Sequence, residues 1–193
     1  MMYSDLQTYY DTLVQYQNSG QMHFLENDER RHNAAIIIFM LNTSNTINMF
    51  CGEMSVFRSR FYTHVESKKT GEGVILKRKM DEALRRFINK PCTRLNIILE
   101  RYVVSFLDDL ISRNAFLEGM NSGKIVVRKL NKRWAGGHKL SHCVYTDQKS
   151  VRYEENQNDH SGVFISNMSR MLEDKVVSNF DNLTKVSEPI SVF

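Results

Sequence analysis

The sequence contains few of the residues that interrupt or cross-link a chain. Only two of its 193 residues are proline, and neither Pro91 nor Pro189 interrupts a strong periodic pattern. The three cysteines, Cys51, Cys92 and Cys143, are widely spaced and form no Cys-x-x-Cys pair. This spacing excludes the usual signatures of a disulfide framework and of a zinc knuckle. We therefore expect reduced and mostly buried thiols, as in a cytosolic protein.

Long apolar segments are also missing. The longest apolar run, residues 34–41, is far too short to span a bilayer. The first residues lack the basic start and the apolar stretch of a signal peptide. Internal repeats and low-complexity segments are absent. We therefore expect a cytoplasmic protein with no membrane partner.

The net charge is small. Lys and Arg number 26 and Asp and Glu number 22, so the formal net charge is +4 and the pI is about 8.9. This mildly basic balance is compatible with an anionic partner, but it is far from that of a dedicated nucleic-acid clamp. The apolar share of 41% is enough for one domain with its own core, or for one domain with a small appendage.

The period of the apolar residues changes along the chain from that of helices to that of strands. The pattern predicts helices at residues 6–16, 27–41, 74–89, 103–117 and 167–186, with Asn27 as the N-cap of the second. It predicts strands at residues 46–51, 94–99, 124–130, 140–146, 150–154 and 162–165. Residues 55–73 have no clear pattern, and we interpret them as a loop with a helical turn. Early alternation favours parallel pairing and the late strands favour antiparallel pairing, so we expect an α/β fold with a mixed β-sheet flanked by helices.

The densest polar cluster of the sequence lies in the hairpin formed by strands 140–146 and 150–154. His142, Arg152 and Glu154 alternate with apolar residues there, and Asp147 begins the turn. Paired strands lie about 5 Å apart, so we expect these four side chains within one shell. His142, Asp147 and Glu154 are the catalytic candidates, and Arg152 is a candidate for binding.

The same residues also have structural interpretations. His142 beside Glu154 is also explained as an ordinary cross-strand pair. Arg152 is most simply explained by a structural ion pair with Asp147 or Glu155. The sequence pattern leaves both interpretations open.

Thiol and metal chemistry have little support in this hairpin. Cys143 and His142 are adjacent on a strand, so their side chains point to opposite faces and cannot form a thiol–imidazole pair. No carboxylate spacing accompanies His138, His142 and His160, and we expect no metal and no cofactor.

A basic segment precedes the hairpin and ends in the single tryptophan. Cations mixed with an aromatic ring are used to hold a nucleic-acid backbone and to stack a base. A solvated basic face is the alternative interpretation. The segment contains Lys124, Arg128, Lys129, Lys132, Arg133 and Trp134, and its binding candidates are Lys129, Lys132, Arg133 and Trp134.

The order of elements and the hairpin together resemble a single phospholipase D-like domain. In that superfamily two helix–strand units precede a strand that carries H-x-K-x4-D, followed after six residues by Gly-Ser. Non-catalytic members have a histidine-led strand, an aspartate turn, a strand with Arg and Glu, and a last helix of the type F-D-x-L. The resemblance covers residues 24–190, and it implies an N-terminal helical extension over 1–23 and a phospholipase D-like domain over 24–193. The matching residues are His142, Asp147, Arg152, Glu154 and Phe180-Asp181-Asn182-Leu183.

The departures from the signature bear on activity. With Asp147 at the aspartate position, the nucleophile position falls on Leu140 and the lysine position on His142. The Gly-Ser positions fall on Glu154 and Glu155. The chemistry of the family requires a histidine nucleophile and cations around the phosphoryl oxygens. Leucine cannot attack phosphorus, and two glutamates repel a phosphate, so the resemblance implies a catalytically degenerate domain.

Three functions remain open on the sequence. The first is a degenerate phospholipase D-like domain that acts as a binding or assembly module, as a homodimer or as a subunit of a larger complex. The second is a module that binds DNA or RNA through the basic segment. The third is a phosphodiesterase or nuclease with an atypical active site, completed across a dimer.

Overall fold

The computed structural model of the protein describes residues 5–102, 104–131, 141–156 and 161–190. Short 3₁₀ segments cover Ser55–Phe57 and Val104–Leu107. The helices are α1 (Leu6–Asn18), α2 (Arg30–Thr43), α3 (Ser59–Lys68), α4 (Glu72–Asn89), α5 (Arg113–Asn121) and α6 (Arg170–Lys185). The strands are β1 (His23–Asn27), β2 (Thr46–Cys51), β3 (Arg94–Leu99), β4 (Ile125–Leu130), β5 (Cys143–Thr146), β6 (Val151–Asn156), β7 (Ser161–Ser166) and β8 (Ser187–Pro189).

The described strands form one sheet in the order β1-β7-β6-β5-β2-β3-β4-β8. Strands β2, β3 and β4 pair in parallel, because helical crossovers connect them, and the remaining pairs are antiparallel. The predicted α/β fold with a mixed sheet flanked by helices is therefore confirmed.

Side chains on the two faces of the sheet enter two cores. Met49 and Ile97 point into the larger core, which α1 to α5 cover. Phe50 and Tyr145 point to the opposite face, where α6 packs and the rings of Tyr145 and Phe180 lie 5.5 Å apart. Alternate residues of each strand point to opposite faces of the sheet. Among the described elements, five helices cover one face and one helix covers the other.

Helix α2 is buried nearly all round, as its apolar sequence predicts. It has 14 residues, and none of the helices in the described ranges is long and apolar enough to cross a membrane. The predicted N-cap was wrong: Asn27 ends strand β1, where it pairs with Gly162, and the helix begins three residues later at Arg30. Asn27 is favourable at a helix start, but strand pairing with β7 determines its conformation here.

Two further predictions were wrong in the middle of the chain. Residues 55–73 contain α3, whose Phe61 and Val65 are buried, and not merely a loop with a helical turn. The predicted helix 103–117 is replaced by the second 3₁₀ segment and by α5. Leu110 instead forms a bridge with Arg58, and Ser112 adopts a left-handed conformation with φ of 53° just before α5. A continuous helix cannot pass through a residue in that conformation.

Helix α1 packs against the larger core through Tyr9 and Leu13, both of which are 0% exposed. Asp5 caps the helix by accepting a hydrogen bond from the backbone N–H of Gln7. The ring of Tyr9 stacks on His32 of α2 with a centroid distance of 4.1 Å. The division of the chain at residue 23 remains a prediction.

We expect Leu84→Ala to lower the free energy of unfolding by about 2–5 kcal/mol, because it leaves a cavity in a packed core. Leu84 of α4 is 0% exposed, whereas Val74 of the same helix is 67% exposed. Val74→Ala is the matched control and should change the free energy by less than about 0.5 kcal/mol. Urea unfolding monitored by circular dichroism measures both values. Equal effects of the two substitutions would contradict the buried face assigned to α4.

Candidate functional site

A buried polar cluster lies at the carboxyl ends of the parallel strands β2 and β3, on the face of the larger core. Ligands of α/β proteins usually bind at this edge of a sheet. The chain brings the cluster together from three strand ends and from β6: His142 precedes β5, Glu100 follows β3, and Asn27 ends β1. Arg152 and Glu154 lie two residues apart on β6 and therefore share one face. We call these five residues the His142 cluster.

Both ring nitrogens of His142 are bonded to carboxylates. Nδ1 lies 2.5 Å from Oε2 of Glu154, and Nε2 lies 3.0 Å from Oε2 of Glu100. His142 and Glu154 are 6% and 7% exposed, so water screens this pair little. Each ring nitrogen of His142 is therefore engaged by a carboxylate.

Arg152 lies inside the larger core, opposite Val144 on β5 and Phe164 on β7. Its Nη2 lies 3.8 Å from Oε1 of Glu154. With its amide oxygen facing the guanidinium, Asn27 accepts from Nε at 2.7 Å and from Nη2 at 3.0 Å. Burial lowers the pKa of Arg152, and the charge of Glu154 opposes that shift. The cluster therefore places the buried guanidinium of Arg152 beside the buried carboxylate of Glu154.

The polar network continues from the sheet into the helices. The side-chain N–H₂ of Asn27 donates to the carbonyl of Glu29 at 2.9 Å. The Glu29 carboxylate contacts Nε of Arg31 at 2.7 Å, and Nη1 of Arg31 lies 3.0 Å from Glu72 on α4. Arg31 is 2% exposed. The network thus connects β6 and β1 to the N-terminal ends of α2 and α4.

Gly52 allows the side chains of Arg101 and His142 to approach the end of β2. A Cβ at this position would lie 3.2 Å from Nη2 of Arg101 and 3.3 Å from Cε1 of His142. A cavity of about 180 Å³ adjoins this point, and Gly52, Arg101, His142, Arg152 and Glu154 are among its lining residues. It has room for a small ion with a few waters.

Arg58 is a second buried cation near this edge. It is 4% exposed, and its Nε and Nη2 have no hydrogen-bond partner within the described ranges. Burial lowers the pKa of Arg58 and nearby Arg60 adds to that effect, while Glu53 and Asp109 oppose it. The sequence pattern did not identify Arg58, because residues 55–73 were interpreted as a loop.

Asp147 does not join the cluster. Its carboxylate accepts from the backbone N–H of Asn45 at 3.1 Å, at the amino end of β2. The hairpin turn lies at the opposite end of β5 from His142, and Glu155 is exposed. The expectation that Arg152 pairs with Asp147 or Glu155 was therefore wrong, since its partners are Glu154 and Asn27.

The basic segment is only partly described. Lys129 of β4 lies 3.5 Å from Glu188 of β8, and its Nζ lies 6.0 Å from the centre of the Tyr102 ring. Lys129 is thus engaged in a contact between β4 and the edge strand. Six residues that the sequence analysis named lie outside the described residues: Lys132, Arg133, Trp134, His138, Leu140 and His160.

Two of the three thiols, those of Cys51 and Cys143, have raised pKa values. Burial raises the pKa of Cys51 to about 12, and the charge of Glu154 adds to that effect. Burial also raises the pKa of Cys143 to about 12. Both thiols stay protonated at neutral pH, and a protonated thiol is a poor nucleophile and a poor metal ligand.

One group of possible metal ligands occurs among the described residues. Asp28, Glu29 and His32 offer ligand atoms that lie within 4.8 Å of one another. Nδ1 of His32 lies 2.9 Å from Asp28, and the guanidinium of Arg31 contacts Glu29. A bound cation would have to compete with Arg31 for that carboxylate, so the group is explained by its ion pairs.

We expect Arg152→Met to lower the free energy of unfolding by about 3–5 kcal/mol, because it leaves the charge of Glu154 buried and uncompensated. Adding Glu154→Gln should recover part of the loss, since the amide oxygen still accepts from His142. Arg85→Met removes the exposed pair with Asp81 and should cost at most about 1 kcal/mol. Thermal and urea unfolding measure these three variants and Glu154→Gln alone. A double variant as unstable as the sum of its single variants would contradict the pairing.

No protein-family model matches the sequence, and no curated protein matches it either. Solved structures do match the fold. TrmBL2, an archaeal chromatin protein whose structure shows a novel mode of DNA binding, matches 95% of this chain with a TM-score of 0.55 and 11% identity. This chain spans 62% of the TrmBL2 chain, which is less than two thirds of its length.

Nuc, a phospholipase D family member from Salmonella typhimurium, matches 88% of this chain and 99% of its own with a TM-score of 0.53. The identity is again 11%, so both matches show a similar fold and give no information about the chemistry of the site. The match agrees with the mixed sheet, with its helical layers and with the resemblance predicted from the hairpin. The chain therefore has a phospholipase D-like fold.

Proposed function

We propose that this chain is a catalytically inactive phospholipase D-like domain that acts by binding or assembly, as a homodimer or as a subunit of a larger complex. The observation that carries the proposal is the contact of both His142 nitrogens with Glu154 and Glu100. A histidine nucleophile must present an unprotonated nitrogen to phosphorus. His142 is held with both nitrogens directed at carboxylates instead.

The surroundings of His142 support the same proposal. Two carboxylates against the imidazole oppose the approach of a phosphoryl group, whereas catalysis of phosphoryl transfer needs positive charge there. The frame that places Asp147 at the motif aspartate puts Leu140 at the nucleophile position. The thiols of Cys51 and Cys143 are no substitute, because burial keeps them protonated.

Purified protein should not hydrolyse bis(p-nitrophenyl) phosphate or double-stranded DNA in the presence of EDTA, because no nucleophile among the described residues is placed for attack. His142→Ala, purified in the same way, identifies activity that comes from contaminants. Lys185→Ala, an exposed change on α6, is the matched control. The proposal fails if turnover is lost in His142→Ala and retained in Lys185→Ala.

The oligomeric state distinguishes the two forms of the proposal. Sedimentation equilibrium of the full chain measures its mass directly. A stable dimer supports the homodimer, and a monomer supports a subunit that needs a different partner.

A second candidate function, nucleic-acid binding, is favoured by the charge of α3 and α4. Residues 59–89 contain eight Lys and Arg against four Asp and Glu, a surplus of four, which equals the net charge of the whole chain. All four carboxylates are already engaged: Glu66 accepts from the backbone N–H of Gly71 and Glu72 pairs with Arg31. Asp81 and Glu82 pair with Arg85 and Arg78 of the same helix. The surplus therefore faces solvent on one pair of adjacent helices.

This location differs from the one that the sequence suggested. Lys129 of the basic segment is paired with Glu188. The match to TrmBL2, itself a DNA-binding protein, supports a nucleic-acid partner for this fold. If this function holds, α3 and α4 contact the phosphate backbone, and the segment 124–134 contributes less.

Fluorescence anisotropy with a labelled 20-base-pair duplex, measured at several salt concentrations, tests this candidate. Each lost phosphate contact lowers the slope of log K against log salt by about 0.9. We expect Lys77→Ala with Arg86→Ala to lower the slope by about 1.8, whereas Lys132→Ala with Arg133→Ala leaves it unchanged. A lower slope in Lys132→Ala with Arg133→Ala, and an unchanged slope in Lys77→Ala with Arg86→Ala, would place the nucleic-acid interface in the basic segment. Absence of binding at low salt would exclude this function.

A further inference from the structure

A second and larger cavity lies on the opposite face of the sheet, beside α6. Its volume is about 600 Å³. Phe50, Cys143 and Tyr153 line it from the sheet, and Val176 and Phe180 line it from the helix. All but Tyr153 are buried, so the interior is mainly apolar.

The architecture accounts for this space. Neighbouring strands lie about 4.8 Å apart and a helix with its side chains is about 10 Å wide, so one helix covers only about two strands. Among the described elements α6 is the only helix on this face of an eight-stranded sheet. The cavity also exceeds the roughly 150 Å³ left by loss of one large side chain, and it lies within the 300–1,000 Å³ typical of ligand pockets.

Polar groups converge at the rim of the cavity. Lys175, Asn179 and Asn182 are exposed and lie about one helical turn apart on α6. No carboxylate lines the cavity among the residues that the structure describes. Burial raises the pKa of Tyr153 to about 12, so its hydroxyl stays protonated and is able to donate a hydrogen bond. An apolar interior with one cation and several donors at its mouth complements an acidic group attached to an apolar body.

We propose that this cavity binds a small amphipathic organic anion, with its apolar body against Phe50, Cys143 and Phe180 and its acidic group at Lys175. Phe50 and Cys143 also line the 180 Å³ cavity of the His142 cluster, so they form a wall between the two sites. Binding here uses neither His142 nor its carboxylate partners. The proposal therefore stands whether or not the His142 cluster is catalytic.

Titration with 8-anilinonaphthalene-1-sulfonate tests the cavity, because this fluorescent probe combines an apolar aromatic body with one sulfonate. We expect saturable binding to one site on the folded chain. Lys175→Ala should weaken binding three- to tenfold, since it removes the cation at the rim. Lys185→Ala, a change of the same kind on the same helix but outside the cavity, should leave the affinity unchanged. Leu172→Trp, which places a larger side chain in the mouth, should abolish binding while the circular dichroism spectrum and the melting temperature stay close to those of the unmodified chain.

Displacement of the probe separates the charge of the ligand from its apolar body. We expect 2-naphthoate to displace the probe more strongly than 2-naphthamide, and Lys175→Ala should remove that difference. Non-saturable fluorescence, equal effects of Lys175→Ala and Lys185→Ala, or full binding to folded Leu172→Trp would each overturn the proposal. Probe binding that disappears as the chain forms dimers at higher protein concentration would also overturn it, because a second copy would then be the occupant.

Discussion

The buried charge of Arg152 is the constraint on which the rest of this site depends. Its guanidinium lies among core side chains on the central part of the sheet, where losing water costs several kcal/mol. Glu154 offsets the charge, and the amide oxygen of Asn27 accepts from Nε and Nη2 of the guanidinium. These contacts require β6 and β1 to lie on the two sides of β7 in one register. A single buried cation thus helps to fix the order of three strands.

The pairing of Arg152 with Glu154 also affects His142 at the carboxyl ends of β2 and β3. Glu154 pairs with both Arg152 and His142. The carboxylate that offsets the buried charge of Arg152 therefore also contacts a ring nitrogen of His142. Glu100 occupies the other ring nitrogen from the end of β3. In a phosphoryl-transfer site this edge must offer a free nucleophile and net positive charge. Here Glu100 and Glu154 place negative charge around His142, an arrangement that supports the proposed loss of catalysis.

The sequence predicts the elements whose pattern is local. Strands β2 and β3 lie where predicted, because their apolar residues alternate or run together between turn residues. Strand β1 was missed, since a five-residue edge strand leaves a weak pattern and Asn27 also suits a helix start. Glu100 was missed for a different reason: it lies 42 residues from His142 in the chain, and only the parallel crossovers bring the two together. The sequence could identify His142 and Glu154, which share a hairpin, but not the partners that determine what they do.

The two faces of the sheet therefore differ in the space and the charges that they offer to a ligand. On the face of the larger core, buried ion pairs and five helices leave a cavity of about 180 Å³ beside charges that already satisfy one another. On the opposite face, one described helix leaves a larger apolar space whose walls carry no buried charge among the described residues. Desolvating an ion-paired pocket for a ligand is costly, whereas filling an apolar space gains about 25 cal/mol per Å² of buried surface. This physical balance therefore favours the proposed ligand site beside α6 over the edge of the sheet that holds the His142 cluster.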